Sequence, residues 1–205
     1  MKGICFTEPL FHKVVKGEKT QTRKMIISRT GYFQVESRNG VILDIWQTDD
    51  NEWCGDNLVP VKPKYQVGEE VYLKEPYHKD SNDDIHYKFG YPENQQEMDK
   101  HGLKWSNKLF MPESAARHFI EITAVRAERL QDISEGDCVK EGIEYSPEAV
   151  PIGYPFGIQF PYNNGFHNYT TAKDAYAALI DKINGKGTWE KNSFVWVYDF
   201  RLIEK

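Results

Sequence analysis

Two long stretches of the chain alternate apolar and polar residues. They are FIEITAVRAERL at residues 119–130 and SFVWVYDFRLI at residues 193–203. Alternation with a period of two is typical of a β-strand that buries one face, because successive side chains point to opposite sides of the strand. We therefore predict a strand at each stretch, and any fold adopted by this chain must contain a sheet.

Helical patterns occur at three places. The first begins at Pro9 and ends near Gly17, with apolar residues at helical spacing between them. The second is the short segment 134–142, where a serine and an aspartate three residues later have the spacing of a capping box. The third, at residues 170–185, is the clearest, since threonine precedes it and glycine closes it. These patterns predict three helices beside the sheet.

Shorter strands complete the predicted secondary structure. Residues 3–6 and 20–27 are rich in strand-forming side chains, and in residues 65–77 a turn precedes an alternating strand that Pro76 should stop. Residues 28–66 are predicted to form hairpins, because YFQVES and VILDIWQ are separated by the tight-turn sequence RNG. The sequence thus predicts a mixed α+β fold.

The chain is long enough for one substantial core. It has 205 residues, of which 40% are hydrophobic, so we predict a single domain spanning residues 1–205. Residues 78–106 are polar and charged and are interpreted as an excursion from that core. Residues 144–169 are rich in proline, glycine and aromatic residues and are predicted to form a long loop. Its aromatic residues form either a lid over a ligand or a separate apolar cluster: Tyr154, Phe156, Phe160, Tyr162 and Phe166.

The charge balance limits the possible partners. Lysine and arginine number 26 against 31 aspartates and glutamates, which gives a net charge of −5. An acidic chain has no general attraction for a polyanion, so we expect weak or no binding to long duplex DNA at physiological salt. A nucleic-acid partner would have to be small or held by a local basic patch.

Cysteines and histidines give no sign of a metal site. The three cysteines, Cys5, Cys54 and Cys138, are widely spaced without a CxxC pair, and the six histidines lack zinc-site spacing. Residues 184–190 contain glycines but not the spacing of a phosphate-binding P-loop. We therefore predict no metal, no cofactor and no disulfide framework.

No apolar stretch approaches the length of a membrane span or a signal peptide. A span needs roughly 20 apolar residues, and the chain has none of that length. The odd number of unpaired cysteines fits a reducing compartment. We expect a soluble cytoplasmic protein without membrane association.

Positive charge is concentrated near the start of this acidic chain. Residues 16–24, KGEKTQTRK, hold four cationic side chains and two threonines. They follow the first predicted helix and lead into a predicted strand, so the cluster lies at a helix-to-strand turn. Such a turn can direct Lys19 and Thr22 toward one pocket, with Lys16, Arg23 and Lys24 as cationic neighbours.

The segment GEKTQTRK resembles the G-x-K-x-x-T-x-R signature of the ASCH family, a branch of the PUA-like superfamily. VGEEVYLKEPY at residues 67–77 is similar to the family's turn, strand and carboxylate segment. Residues 105–143 resemble the W-x-P-x-x-x-M-P stretch, long strand and acidic helix of larger, phage- or prophage-type members, and residues 188–203 resemble their closing strand. The resemblance implies a PUA-like mixed β-barrel of about six strands with flanking helices, and RNA or a modified nucleoside as the partner.

The resemblance has gaps and departures. It leaves insertions at about residues 28–64, 78–104 and 144–169. Lys24 stands where the family usually has arginine, with Arg23 one place early, and lysine offers a point charge in place of a bidentate fork. The family's usual RPS after tryptophan is SNK here.

Some small bacterial ASCH proteins hydrolyse the amide of N(4)-acetylcytidine with a lysine, a threonine and a glutamate. The resemblance implies that Lys19 is the base and Thr22 the nucleophile of such a site. An amine with a lowered pKa can take the proton of a hydroxyl group, and burial or neighbouring cations lower it. Two glutamates compete for the third role: Glu141, at the end of the short helix, and Glu75, at the end of a strand.

Further residues are candidates for holding the ligand. The cationic candidates are Lys16, Arg23, Lys24 and Lys74, and the aromatic candidates are Tyr77 and Trp105. Aromatic faces stack on bases with little sequence preference. Trp196 could also stack a base, although its place in an alternating strand favours packing in the core.

Two functions remain open from the sequence. The chain is either a cofactor-free amidohydrolase of N(4)-acetylcytidine or a non-catalytic reader of RNA or a modified base. We call residues 16–24 the basic turn. A simpler alternative to both functions is that its side chains are solvated at the surface or cap a helix. The sequence leaves the oligomeric state, the role of the insertions and the true ligand open.

Overall fold

A computed structural model describes residues 1–27, 33–48, 58–89, 96, 98–159 and 166–205. Helices lie at α1 (Glu8–Val15), α2 (Glu135–Lys140), α3 (Ala172–Asn184) and α4 (Thr188–Lys191). Strands lie at β1 (Lys2–Cys5), β2 (Gln21–Met25), β3 (Phe33–Arg38), β4 (Val41–Thr48), β5 (Leu58–Pro60), β6 (Glu70–Lys74), β7 (Tyr77–Lys79), β8 (Ile85–Tyr87), β9 (Phe119–Arg129), β10 (Glu144–Tyr145), β11 (Phe156–Gln159), β12 (Phe166–Tyr169) and β13 (Phe194–Ile203). The fold is therefore α+β, as the sequence predicts.

The main sheet is built on β9 and β13. These antiparallel strands pair from Phe194 opposite Arg129 to Ile203 opposite Phe119, with one irregularity between Asp199 and Phe200. Their inward side chains lie at the centre of the core and include Ile120, Ile122, Val195 and Val197. The two alternating stretches of the sequence are thus confirmed as strands, and each is the other's partner.

The main path of the sheet ends at β1 and at β2, and residues of both strands line the same cavity. Its strands follow the order β1-β6-β9-β13-β2, and β4 joins β3 and β5 to β9. Among the described residues no hydrogen bonds join β1 to β2, so these residues form no closed barrel. Residues from both edge strands, including Gly3 to Cys5 and Lys24 to Met25, instead line one cavity. The sheet therefore curves around an opening between its first and second strands.

Helices α1, α2 and α3 end close to where the sequence predicts, whereas the short helix α4 has no counterpart in the sequence prediction. Gly17 follows α1 with φ of +75°, a conformation that glycine adopts without strain. The Ser134 hydroxyl accepts a hydrogen bond from the Asp137 backbone N–H at the start of α2. The buried face of α3, which includes Tyr176 and Leu179, packs on the main core. None of the described helices has the length and apolar character needed to cross a bilayer.

The first inserted segment extends the main sheet. Strands β3 and β4 form a hairpin that turns at Asn39 and Gly40, both with positive φ, as the RNG sequence predicts. Ile42 of β4 pairs with Ala127 of β9. Ile45, Ala127 and Phe194 belong to a second, smaller apolar cluster. In the second inserted segment, β7 and β8 form a separate hairpin.

The prediction of a long loop at residues 144–169 is wrong for the part that the structure describes. Strands β10, β11 and β12 form a small antiparallel sheet, which packs against α3. Ile158 is fully buried and Phe156 packs against the core, whereas Tyr154 and Phe166 are exposed. Phe160 and Tyr162 lie outside the described residues. The short strands escape prediction because proline and glycine interrupt the alternation that would reveal them.

The cap of α3 gives a stability prediction. The Thr171 hydroxyl accepts a hydrogen bond of 3.0 Å from the Asp174 backbone N–H. Replacing such a cap by alanine leaves that N–H without its partner, so Thr171→Ala should lower the free energy of unfolding by about 1 kcal/mol. Urea denaturation measures the change, with Thr170→Ala as the control because Thr170 is exposed and precedes the cap. Equal stability of the two variants would contradict the capping role.

Candidate functional site

A cavity of about 420 Å³ lies between β2, α3 and the segment that joins β1 to α1. We call it the Lys19 cavity. The polar side chains among its lining residues include those of Lys19, Thr22, Lys24, Glu141 and Tyr176. Its volume falls in the range of cavities that bind small organic ligands. The structure therefore brings the lysine and the threonine of the basic turn to one concavity, together with one of the two candidate glutamates.

The turn after α1 directs Lys19 inward. Beyond Gly17 the chain reverses, and the Lys19 backbone N–H donates to the Lys13 carbonyl at 3.0 Å. The next N–H, that of Thr20, donates to the Lys140 carbonyl at the end of α2. These bonds hold the start of β2 against the end of α2. The Lys19 side chain consequently enters the protein beside Glu141, and only 1% of Lys19 is exposed.

The ammonium group of Lys19 is fully hydrogen-bonded. Its Nζ donates to Glu141 Oε2 at 2.6 Å, to the Glu141 carbonyl at 2.7 Å and to the Gln21 carbonyl at 2.7 Å. An ammonium group has three N–H donors, so each of them has an acceptor. The side chain is therefore held in one orientation, with Glu141 as its only charged partner among the described residues.

Glu141 is shared between two cations. Its Oε2 accepts from Lys19, and its Oε1 accepts from Arg23 Nη1 at 3.0 Å. The Arg23 side chain is completely buried and also donates to Glu128 and to the side-chain oxygen of Gln21. A buried carboxylate with two cationic donors is positioned much more firmly than a surface one. Glu141 thus fixes Lys19, and Arg23 fixes Glu141.

This pair belongs to a larger network of charges beneath the cavity. Arg126 bridges Asp137, Asp199 and Glu128, and the Gln21 side chain donates to Asp199 at 2.7 Å. The network connects β2, β9, α2 and β13, which carry these residues. Positive and negative side chains alternate in this network. Their mutual attraction offsets part of the free-energy cost of removing these charges from water. The network therefore ties these four elements together beneath the cavity.

The buried cations have shifted acidities. Burial lowers the pKa of Lys19, and the carboxylate of Glu141 only partly offsets that effect. Burial opposes the charge of Arg23 as well, but the carboxylates of Glu141 and Glu128 prevail and raise its pKa. Lys24 reaches solvent, yet desolvation between the cavity walls lowers its pKa. Lys19 therefore loses a proton more readily than an ordinary lysine.

Thr22 and Lys24 face the cavity from the same side of β2. They are two residues apart on one strand and lie opposite Tyr198 and Trp196 of β13. Gln21 belongs to the other face of β2 and points into the charge network. Thr22 is buried, and its hydroxyl has no hydrogen-bond partner among the described residues. That hydroxyl remains available to a ligand.

Two further polar atoms in the wall of the Lys19 cavity lack partners. The Thr7 hydroxyl and the Tyr176 hydroxyl are buried without a hydrogen bond, and both residues line the cavity. A buried hydroxyl without a partner costs roughly 1–3 kcal/mol, so it normally meets a ligand or an ordered water. These atoms are therefore available to a polar ligand or to ordered water.

Glu75 lies elsewhere and does not complete this site. Both of its carboxylate oxygens accept hydrogen bonds of 2.8 Å from Arg117, and it is completely buried. Burial raises its pKa, while Arg117 acts in the opposite direction. Glu75 lines neither described cavity. Its contacts are those of a structural ion pair beneath β6.

The remaining predicted ligand contacts are dispersed. Lys16 is exposed just after α1, whereas Tyr77 and Trp105 are half-buried, and none of the three lines a described cavity. Lys74 lines a second cavity that adjoins the first. Trp196 contacts both apolar clusters and also lines that second cavity. Its packing is that of a core residue, and it also borders a cavity.

Sequence reasoning missed several residues of the Lys19 cavity. Phe6 lies between two lysines, with Lys19 Nζ 5.7 Å and Lys24 Nζ 5.8 Å from its ring centre. Tyr176 lies on the buried face of α3, where its spacing is that of any core residue. Nothing in the sequence marks either residue, because both read as apolar positions of regular elements.

The described residues contain no group of three or more histidine, cysteine, aspartate or glutamate side chains that could hold a metal ion. The cationic side chains that line the Lys19 cavity are those of Lys19, Arg23, Lys24 and Lys108.

Comparisons of the chain with models of protein families, with curated proteins and with solved structures found no match.

Proposed function

We propose that this protein is an amidohydrolase that removes the acetyl group of N(4)-acetylcytidine in the Lys19 cavity. The observation that carries the proposal is the buried Lys19–Glu141 pair in the same cavity as the unpaired Thr22 hydroxyl. The resemblance of residues 17–24 to the ASCH signature supports it, since that signature supplies the lysine and the threonine. On this proposal the curved main sheet is a PUA-like barrel that remains open between β1 and β2.

Each side chain has a role in the proposed reaction. Neutral Lys19 takes the proton of the Thr22 hydroxyl while Thr22 Oγ1 attacks the acetyl carbonyl carbon. The tetrahedral intermediate collapses, its carbon–nitrogen bond breaks, and the Lys19 ammonium returns the proton to the departing amine of cytidine. Water then attacks the acetyl-threonine ester, again with Lys19 as the base, and releases acetate. Glu141 orients the amine throughout.

Lys24 is suited to stabilising the negative charge that develops on the acetyl oxygen. It projects from the same face of β2 as Thr22, two residues further along, and lines the same cavity. A cation close to a developing oxyanion acts strongly in a site shielded from water. A point charge is sufficient for this role, so the departure from arginine at this position does not weaken the proposal.

The hydroxyls of Thr7 and Tyr176 are suited to binding the cytosine ring. Both are buried in the cavity wall without partners, and each can donate and accept a hydrogen bond. The acetylated base carries amide and ring atoms of both kinds. Phe6 adds an apolar face beside the two lysines.

The test is release of acetate and cytidine from N(4)-acetylcytidine by the purified protein. Chromatography of the nucleosides measures the reaction. We expect turnover without an added cofactor. Binding of the nucleoside without acetate above background would exclude the hydrolase.

A non-catalytic reader is the second candidate, and one observation favours it. All three N–H groups of the Lys19 ammonium already have acceptors, so the charged form directs no lone pair at Thr22. A reader would use the same cavity to hold a modified base or an RNA end and would leave it unchanged.

The proposed activity belongs in the cytoplasm. Cys5 and Cys138 are both free thiols in the described part of the chain, which suits a reducing environment.

A further inference from the structure

A second cavity of about 640 Å³ lies in the gap between β1 and β2. Four lysines line it, Lys24, Lys62, Lys64 and Lys74, and its lining residues include no aspartate or glutamate. We call it the lysine-lined cavity. In a chain with a net charge of −5, four cations around one concavity without a carboxylate are a marked local excess.

These lysines have no counter-ions among the described residues. Lys74 Nζ donates to the Leu109 carbonyl at 2.8 Å, and Lys64 Nζ lies 5.1 Å from the centre of the Tyr65 ring. No carboxylate of the described part of the chain pairs with Lys24 or Lys62. Lys64 acts on Lys24 as a like charge that helps to lower its pKa. The cavity therefore repels its own cations and favours an anion.

A buried donor without a partner lies in the same wall. Trp196 Nε1 is buried without a hydrogen bond, and Trp196 lies opposite Lys24 in the pairing of β13 with β2. The indole N–H donates and cannot accept. Its missing partner must be an acceptor, such as the oxygen of an anion or of water.

The two cavities share a wall. Cys5, Lys24, Met25 and Ile27 line both of them. A molecule with its base in the Lys19 cavity can therefore extend past Lys24 into the lysine-lined cavity. The part that extends there meets the lysines and the side chain of Trp196.

We propose that the lysine-lined cavity binds the phosphate of a nucleotide whose acetylated base lies in the Lys19 cavity. The substrate is then a phosphorylated form of N(4)-acetylcytidine and the free nucleoside is a poor substitute. This inference rests on the proposed function for the identity of the base, while the phosphate site itself rests on the lysines and Trp196.

The first experiment compares substrates by kcat/KM for acetate release. The set is N(4)-acetylcytidine, its 5′-monophosphate, its 3′-monophosphate and a short single-stranded RNA that contains the acetylated base. We expect a preference of about tenfold or more for at least one phosphate-bearing substrate, the scale of one charge-assisted hydrogen bond. Which one is preferred identifies the phosphate as a 5′ group, a 3′ group or an RNA phosphodiester. Equal use of all four would overturn the inference and leave the hydrolase standing.

The second experiment removes two of the cations. Lys62 and Lys64 are exposed and unpaired in the described part of the chain, so the double variant Lys62→Ala/Lys64→Ala should fold normally. We expect it to lose most of the preference for phosphate. The control, Lys182→Ala/Lys191→Ala, removes the same charge from exposed positions outside both cavities and should keep the preference. A preference that survives in the first variant would overturn the inference.

A third measurement separates this inference from the proposed reaction. Inorganic pyrophosphate is titrated into the wild type and both double variants by calorimetry. Binding that only Lys62→Ala/Lys64→Ala weakens would support the phosphate site even if the wild type released no acetate. Absence of pyrophosphate binding to the wild type, together with no preference among substrates, would exclude the site.

Discussion

Lys19→Ala and Thr22→Ala should each abolish nearly all release of acetate from N(4)-acetylcytidine. The first change removes the proton acceptor and the second the nucleophile. General-base assistance alone is typically worth about a hundred- to ten-thousand-fold in rate. Residues that act as one unit lose nearly everything singly, so the double variant should be no worse than either single variant. Measurement of kcat at saturating substrate gives the comparison.

Thr22→Ser is the matched control for this prediction. It keeps a hydroxyl on the same face of β2 and leaves the Lys19–Glu141 pair intact, so it should retain a measurable part of the activity. The rate should also rise with pH until Lys19 is neutral, because only the neutral amine accepts a proton. Its lowered pKa brings that rise below the range of an ordinary lysine.

A non-catalytic reader of a modified base would respond differently to these two substitutions. Lys19→Ala would then weaken binding of the nucleoside by about 1–3 kcal/mol, whereas Thr22→Ala would have a smaller effect. Thermal melts of each variant show whether it is folded, and binding titrations show which pattern holds. Full activity in folded Thr22→Ala would eliminate the covalent route proposed here.

Glu141→Ala should have the largest effect on stability. Glu141 is buried and holds both Lys19 and Arg23 at hydrogen-bond distance. Its removal leaves Lys19 as a buried cation without a carboxylate, and breaking a buried pair in this way typically costs about 3–5 kcal/mol. Chemical denaturation measures the loss as a decrease in the free energy of unfolding.

Glu70→Ala is the matched control. Glu70 also pairs with a lysine, since Lys205 Nζ lies 2.6 Å from its Oε2, but the side chains of Glu70 and Lys205 are 47% and 36% exposed. Exposed pairs contribute about 0–1 kcal/mol, so this variant should remain close to the wild type in stability. Similar losses in Glu141→Ala and Glu70→Ala would show that the buried network contributes no more than a surface pair.

The sequence predicts the regular elements of this fold well, for physical reasons. Residues 119–129 and 194–203 alternate over ten or more positions, and α3 has both a threonine cap and a closing glycine. In these elements the regular spacing of apolar residues and the residues at the element ends predict the same structure. The strands within residues 144–169 are short and interrupted by proline and glycine, so neither signal develops.

The site was only partly predictable. Lys19 and Thr22 are three residues apart, and one turn brings them together. The choice between Glu141 and Glu75 depends on which of two distant elements meets that turn, and local sequence carries no such information. Lys62 and Lys64 flank a proline after β5, and no pattern in the sequence connects them with Lys24. Contacts across more than a hundred residues require the folded sheet.

The gap between β1 and β2 also affects how recognition can evolve. The outer edge of each strand presents main-chain N–H and C=O groups that no neighbouring strand occupies in the described part of the chain. An anion placed between two such edges can accept hydrogen bonds from main-chain N–H groups in addition to the charges of the lysines. Main-chain donors do not depend on side-chain identity, so this part of the recognition would persist when exposed residues that line the gap are substituted.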